Sequence, residues 1–99
     1  MKTNLHNITP GEILLEDYMK PMKLSQNALG RALGVPPRRI NEIVHGQRAI
    51  TPDTALRLGK YFGVSAQFWL NLQTRFDLQK AERTSDFLSR IQPFVAIAA

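Results

Sequence analysis

Cysteine is absent from the 99 residues, which removes disulfide scaffolds, thiolate metal sites, iron–sulfur clusters and cysteine nucleophiles. Histidine is scarce: His6 and His45 lie 39 positions apart, so a metal site built mainly from this one chain is not expected. No apolar run approaches the roughly 20 residues that a membrane helix needs. The opening stretch, MKTNLHNITP, has no signal-type hydrophobic segment. Nucleophile elbows, phosphate-cradling glycines and a Ser/His/Asp pattern are also missing. The neighbours Glu16 and Asp17 do not replace them, because adjacent helix positions diverge by about 100° and their carboxylates do not converge on one atom. These absences point away from an enzyme, a cofactor and a metal, and towards one small, soluble, cytoplasmic domain.

What is present is apolar mass and positive charge. Apolar residues make up 43% of the chain, enough to bury about 60–70% of the surface that the unfolded chain exposes. Thirteen Lys and Arg against eight Asp and Glu give a net charge of +5, the balance expected of a protein that meets a polyanion. The charge is concentrated. Residues 18–60 hold eight bases (Lys20, Lys23, Arg31, Arg38, Arg39, Arg48, Arg57 and Lys60) and two acids, Glu42 and Asp53.

Turn and cap residues divide the chain into five helices. Thr9-Pro10-Gly11-Glu12 reads as a capping box with proline at the first helical position. The helix that it opens runs to about Lys20, before Pro21, with Ile13, Leu14 and Tyr18 inward and Leu15 and Met19 as further candidates. Ser25 caps a second helix, SQNALGRAL, whose inward stripe is Leu29, Ala32 and Leu33; Gly34 takes the left-handed position that ends it. A third helix spans about Pro37 to His45 and closes at Gly46. Thr51-Pro52 starts a fourth, with Ala55, Leu58 and Phe62 inward, ending at Gly63. Ser65 caps a fifth through about Gln79, carrying Phe68, Trp69, Leu72 and Phe76 inward. The fold class is therefore all-α, with a domain over residues 1–80 and an extension over 81–99. In that extension AERTSDFLSR prolongs the fifth helix or forms a short sixth. Phe94, Val95 and Ile97 favour a docked or dimer-pairing segment over a frayed end, since water is a costly place for them.

Two short helices joined by a tight glycine-containing turn, over residues 25–46, make a helix-turn-helix unit. Leu29, Leu33, Val35, Ile40 and Ile43 face inward, and Gly30 is small where the helices cross. On the third helix Arg38, Asn41, Glu42 and His45 emerge opposite the buried side, with Arg39 on the flank. Arg pairs with guanine, Asn with adenine, and Glu accepts from cytosine, so such a helix carries the groups that major-groove readout needs. The second helix offers free amides beside Ser25 and Gln26 as a phosphate site. His45, Gln47 and Arg48 are placed to hold the far side of the groove. The Arg38-Arg39 pair sits at a helix N-terminus, where positive charge is unfavourable by a few tenths to about 1 kcal/mol; an anionic partner would relieve that cost. The Phe68-Trp69-Leu72-Phe76 stripe reads as core, part of it available to a two-fold interface.

The segments GEILLEDYMKPMKLSQ, LGVPPRRINEIVHGQRAITPDTALRLGKYFG and SAQFWLNLQTRFDL together resemble the HigA family of antitoxins, within the lambda-repressor-like (XRE, Cro/C1-type) helix-turn-helix superfamily. The resemblance covers roughly residues 8–80. It implies a homodimer on a palindromic operator in its own promoter, and a complex with a HigB-type toxin, an mRNA-cleaving ribonuclease that the antitoxin neutralises. It places Gln26 at the phosphate-contacting position that opens the second helix, and Pro37, Arg38, Arg39, Asn41 and Glu42 on the base-reading positions. Gly30 stands where the superfamily usually has alanine, and His45-Gly46-Gln47 where Asn-Gly-Lys is common. Two other functions remain open on the residues alone: a stand-alone repressor without a toxin, and a protein-interaction module whose basic face meets an acidic partner.

Overall fold

The computed structural model describes residues 7–95. Ile97, one of the apolar tail positions, lies outside the described residues. Local chemistry at Thr9 sets the first helix, α1 (Pro10–Ile13): the Thr9 hydroxyl accepts from the Glu12 amide at 3.1 Å, and the Glu12 carboxylate accepts from the Thr9 amide at 2.8 Å. The capping box is thus closed in both directions. Beyond Ile13 the helix widens into a π-helical stretch over Leu14–Met19, with the Lys20 amide donating to the Leu15 carbonyl five residues back at 2.9 Å. That widening alters the expected inward set. Leu14 and Met19, five apart, are both buried, while Ile13, Leu15 and Tyr18 are half-buried.

Four more helices follow: α2 (Gln26–Leu33), α3 (Pro37–Val44), α4 (Pro52–Phe62) and α5 (Ala66–Thr84), with a short 3₁₀ turn at Phe87–Arg90. No strand occurs among the described residues, so the chain is all-α as expected. Ser25, Thr51 and Ser65 each cap their helix through the side-chain oxygen. Gly34, Gly46 and Gly63 all take the left-handed conformation at the ends where the sequence places them. α2 packs on α3, α4 on α5, and α1 reaches both α3 and α5.

The core gathers Leu14, Met19, Leu29, Leu33, Val35, Ile40, Ile43, Ile50, Ala55, Leu58 and Trp69. Trp69 is wholly enclosed, with the Tyr18 ring 4.9 Å and the Phe68 ring 5.2 Å from its own. Its neighbours on the stripe, Phe68, Leu72 and Phe76, are only half-buried. Ala32 departs from expectation and is exposed. The buried arc of α2 is centred on Leu29, Gly30 and Leu33, and Ala32 falls at its edge by helical phase. Gly30 is where α2 meets the turn: a Cβ there would lie 2.9 Å from the Val35 carbonyl oxygen and 3.2 Å from the Pro37 Cα.

α5 runs five residues beyond the expected Gln79, because Lys80-Ala81-Glu82-Arg83 are good helix formers and nothing in them breaks the ladder. FLSR then makes the 3₁₀ turn, so both readings of the AERTSDFLSR stretch apply to part of it. The tail does not dock on its own domain among the described residues: Ile91 is 60% exposed, Val95 79% and Phe94 93%.

One acidic residue ties three elements together. Asp53 accepts from Arg57 at 3.0 Å and from Arg39 at 3.1 Å, and Arg57 also donates to the Leu33 carbonyl at the end of α2 at 2.8 Å. The Arg57 hydrogen bond, partly opposed by desolvation and helped by Arg39, holds the Asp53 carboxyl below the usual carboxylate value. A group whose pKa is depressed in the fold adds stability above its unfolded value, near 4 for Asp, and loses it as pH falls through the folded value. The thermal midpoint is therefore expected to decline from pH 6 to pH 3, and Asp53→Asn to decline less steeply; parallel curves for the two proteins would remove Asp53 from the acid response. A second expectation concerns packing. A Cβ on Gly11 would overlap the Ile43 carbonyl and press on the Val44 Cα, so Gly11→Ala should lower stability by about 1–3 kcal/mol. Urea titration with an unchanged slope and a lower midpoint is the expected result; an unchanged midpoint contradicts the close α1–α3 approach.

Candidate nucleic-acid interface

The outward face of α3 exists because the opposite face is fixed. Ile40 and Ile43 are 0% and 1% exposed, and helix geometry then sends Arg38, Asn41, Glu42 and His45 the other way. Pro36 stands in extended conformation at the N-cap and Pro37 at the first helical position, both exposed, so the start of α3 lies open to solvent.

Contacts link Arg38, Glu42, Arg48 and Gln47 in one group and Gln26, Asn41 and His45 in another, whereas Arg39 turns to Asp53 on α4 and Ser25 meets only its own helix. Arg38 is the most extended, its side chain 87% exposed. Asn41 donates through Nδ2 to Gln26 Oε1 at 3.0 Å, joining the middle of α3 to the first turn of α2. Ser25 spends its hydroxyl on the Ala28 amide at 3.0 Å, as a cap does. His45 is exposed at the C-cap, with Nδ1 2.8 Å from the Asn41 carbonyl oxygen. Gln47 is exposed, and its amide donates to the Glu42 carbonyl at 2.7 Å. Arg48 is half-exposed on the same side.

The electrostatics differ from the simple picture of two uncompensated arginines at a helix start. Arg38 Nε donates to Glu42 Oε2 at 3.1 Å, and Arg39 Nη1 donates to Asp53 Oδ2 at 3.1 Å. The cost of placing positive charge there is therefore offset within the chain, and it no longer calls for an external anion by itself. Arg39 is also less available than its neighbour, its side chain 29% exposed.

Glu42 lies at the centre of the cluster. Its other oxygen, Oε1, accepts from Arg48 Nε at 2.8 Å, and its side chain is 21% exposed. The Arg48 hydrogen bond is the main cause that pulls its carboxyl below the ordinary value; desolvation opposes it and Arg38 adds to it. Sequence reasoning did not include Asp53 and Arg57 in the site. The four-residue spacing of Asp53 and Arg57 on one helix marks them as an ion pair; nothing local reveals that Asp53 also holds Arg39, fourteen positions away.

The chain matches the helix-turn-helix family model over residues 15–69. It is 56% identical over 92 residues to Virulence-associated protein I of Dichelobacter nodosus, covering 93% of this chain and 85% of that protein. It is 31% identical over 77 residues to Antitoxin HigA-1 of Vibrio cholerae, covering 78% and 72% of the two chains. Among solved structures, Pseudomonas aeruginosa antitoxin HigA with the higBA promoter superposes with a TM-score of 0.86 at 41% identity, covering 91% of this chain and all of that one. No helix among the described residues is long and apolar enough to cross a membrane. An α3 whose polar face is open, carried on this five-helix frame and continuous in sequence with these relatives, places the chain in the XRE-type helix-turn-helix family, in its HigA group.

Proposed function

We propose that this chain is a cytoplasmic DNA-binding antitoxin: a homodimer that represses its own operon at a palindromic operator and neutralises a HigB-type ribonuclease. The observation that carries it is the open face of α3, where Pro37, Arg38, Arg39 and Asn41 stand on a helix pinned by buried Ile40 and Ile43. In this reading Arg38 and Asn41 address base edges in the major groove, and Arg39 assists from the flank. Gln26 bridges to Asn41 and so fixes the α2 N-terminus, whose free amides take a backbone phosphate together with Ser25. His45, Gln47 and Arg48 hold the phosphates across the groove. The likeness to a HigA structure bound to its promoter supports the DNA half of this function. The likeness to Antitoxin HigA-1 supports the toxin half.

The experiment is fluorescence anisotropy on the native promoter fragment at several salt concentrations, for the wild type and for Arg38→Ala combined with Arg39→Ala. The double variant should lose about 1–3 kcal/mol for each specific arginine contact. Wild-type affinity should fall linearly with log salt, as released counterions require. Unaltered binding by the double variant excludes readout by α3. Co-expression with the neighbouring gene is the second arm: a stable complex is expected, whereas operator binding without one identifies a stand-alone repressor. Failure to bind the promoter at all favours a module for an acidic protein partner.

A further inference from the structure

Glu42 is, by residue type, a candidate to accept a hydrogen bond from cytosine, yet its surroundings give it other work. Its carboxylate is spanned by two guanidiniums, Arg38 at 3.1 Å on Oε2 and Arg48 at 2.8 Å on Oε1. It is also the least exposed of the three side chains: 21%, against 87% for Arg38 and 48% for Arg48. A carboxylate released from that position would approach the negative groove unpaired, an unfavourable exchange near a polyanion.

Each arginine uses only Nε in this contact. Their Nη groups, the fork that pairs with guanine or straddles a phosphate, have no protein partner among the described residues. The Glu42 carbonyl meanwhile accepts from the Gln47 amide at 2.7 Å. Glu42 therefore holds the loop after α3 twice, once through its backbone and once through its side chain.

We propose that Glu42 is a positioning residue for DNA recognition and not a base reader: it sets the aim of Arg38 and the place of Arg48, and so fixes the base-reading arginine relative to the phosphate-side loop. The inference rests on the DNA-binding reading above. It assigns the acidic residue on α3 to register and specificity, with affinity left to the arginines.

The test is anisotropy on the native promoter fragment and on a scrambled fragment of equal length, for wild type, Glu42→Gln, Arg38→Ala, Arg48→Ala, and Glu42→Gln in each arginine background. Thermal unfolding of every variant checks that it is folded. Glu42→Gln should reduce the operator-to-scrambled affinity ratio roughly tenfold, as coupled neighbours do. Its affinity for the scrambled fragment should hold or rise, because a negative charge has left the interface. The reduction should shrink when Arg38 or Arg48 is already alanine. Full, additive losses in both backgrounds overturn the proposal. So does a loss confined to one C·G pair in a panel of single-pair operator changes, the mark of direct readout. A wild type that does not distinguish operator from scrambled DNA overturns the DNA-binding reading and this inference together, whereas additive losses overturn this inference alone.

Discussion

Ile40 and Ile43 are removed from water by the packing of α3 on α2 and α1, and fully burying a side chain of this size contributes about 1.5–3 kcal/mol. An eight-residue helix is marginal by itself, so that burial decides both whether α3 forms and which way it turns. Rotating α3 by one residue would move its apolar stripe by about 100° and turn the face that Arg38 and Asn41 share away from its present direction. The close approach needs small neighbours. Gly30 clears the Val35 carbonyl and Gly11 clears the backbone of Ile43. An alanine at Gly30 would press on the Val35 carbonyl, so the departure from alanine there matches the close α2–α3 approach in this chain.

Charge plays a different part. Exposed ion pairs contribute about 0–1 kcal/mol each, so the arginine–carboxylate contacts around α3 are not what keeps the chain folded. What they supply is direction. The basic centre of the chain has two acids, Glu42 and Asp53, and each holds two arginines. Positive charge is in excess in both clusters, which keeps the face attractive to a polyanion while limiting where each guanidinium points.

The parts of the fold that depend on neighbouring residues in the chain were legible. Thr9, Ser25, Thr51 and Ser65 announced helix starts, and Gly34, Gly46 and Gly63 announced ends, because caps and left-handed residues are satisfied within a few positions. The helix-turn-helix core was legible for the same reason: Leu29, Leu33, Val35, Ile40 and Ile43 are paired across one short turn. Long-range choices were not. The π-helical stretch at Leu14–Met19 follows from how Leu14 and Met19 reach the core together, and no period of 3.6 announces it. Ala32 has the composition of a core residue and was displaced from the core by the crossing point at Gly30. On the outer face, residue types were readable and partners were not: Arg39 with Asp53 and Asn41 with Gln26 depend on where separate helices meet.

That difference separates Arg38 from Arg39, which composition alone makes equivalent. Arg39 lies between α3 and α4 and shares Asp53 with Arg57, which in turn donates to the Leu33 carbonyl. Reaching a base would require Arg39 to leave a carboxylate that another arginine already orders. Arg38 has no such tie to a second element: its one partner is on its own helix, one turn away, and its Nη groups extend into solvent. Under the proposed DNA-binding reading Arg38 presents a guanidinium already aimed, whereas Arg39, tied to α4 through Asp53, is left to assist from the flank. The two adjacent arginines differ in what they hold because the fold gives one of them a neighbouring helix and leaves the other only Glu42.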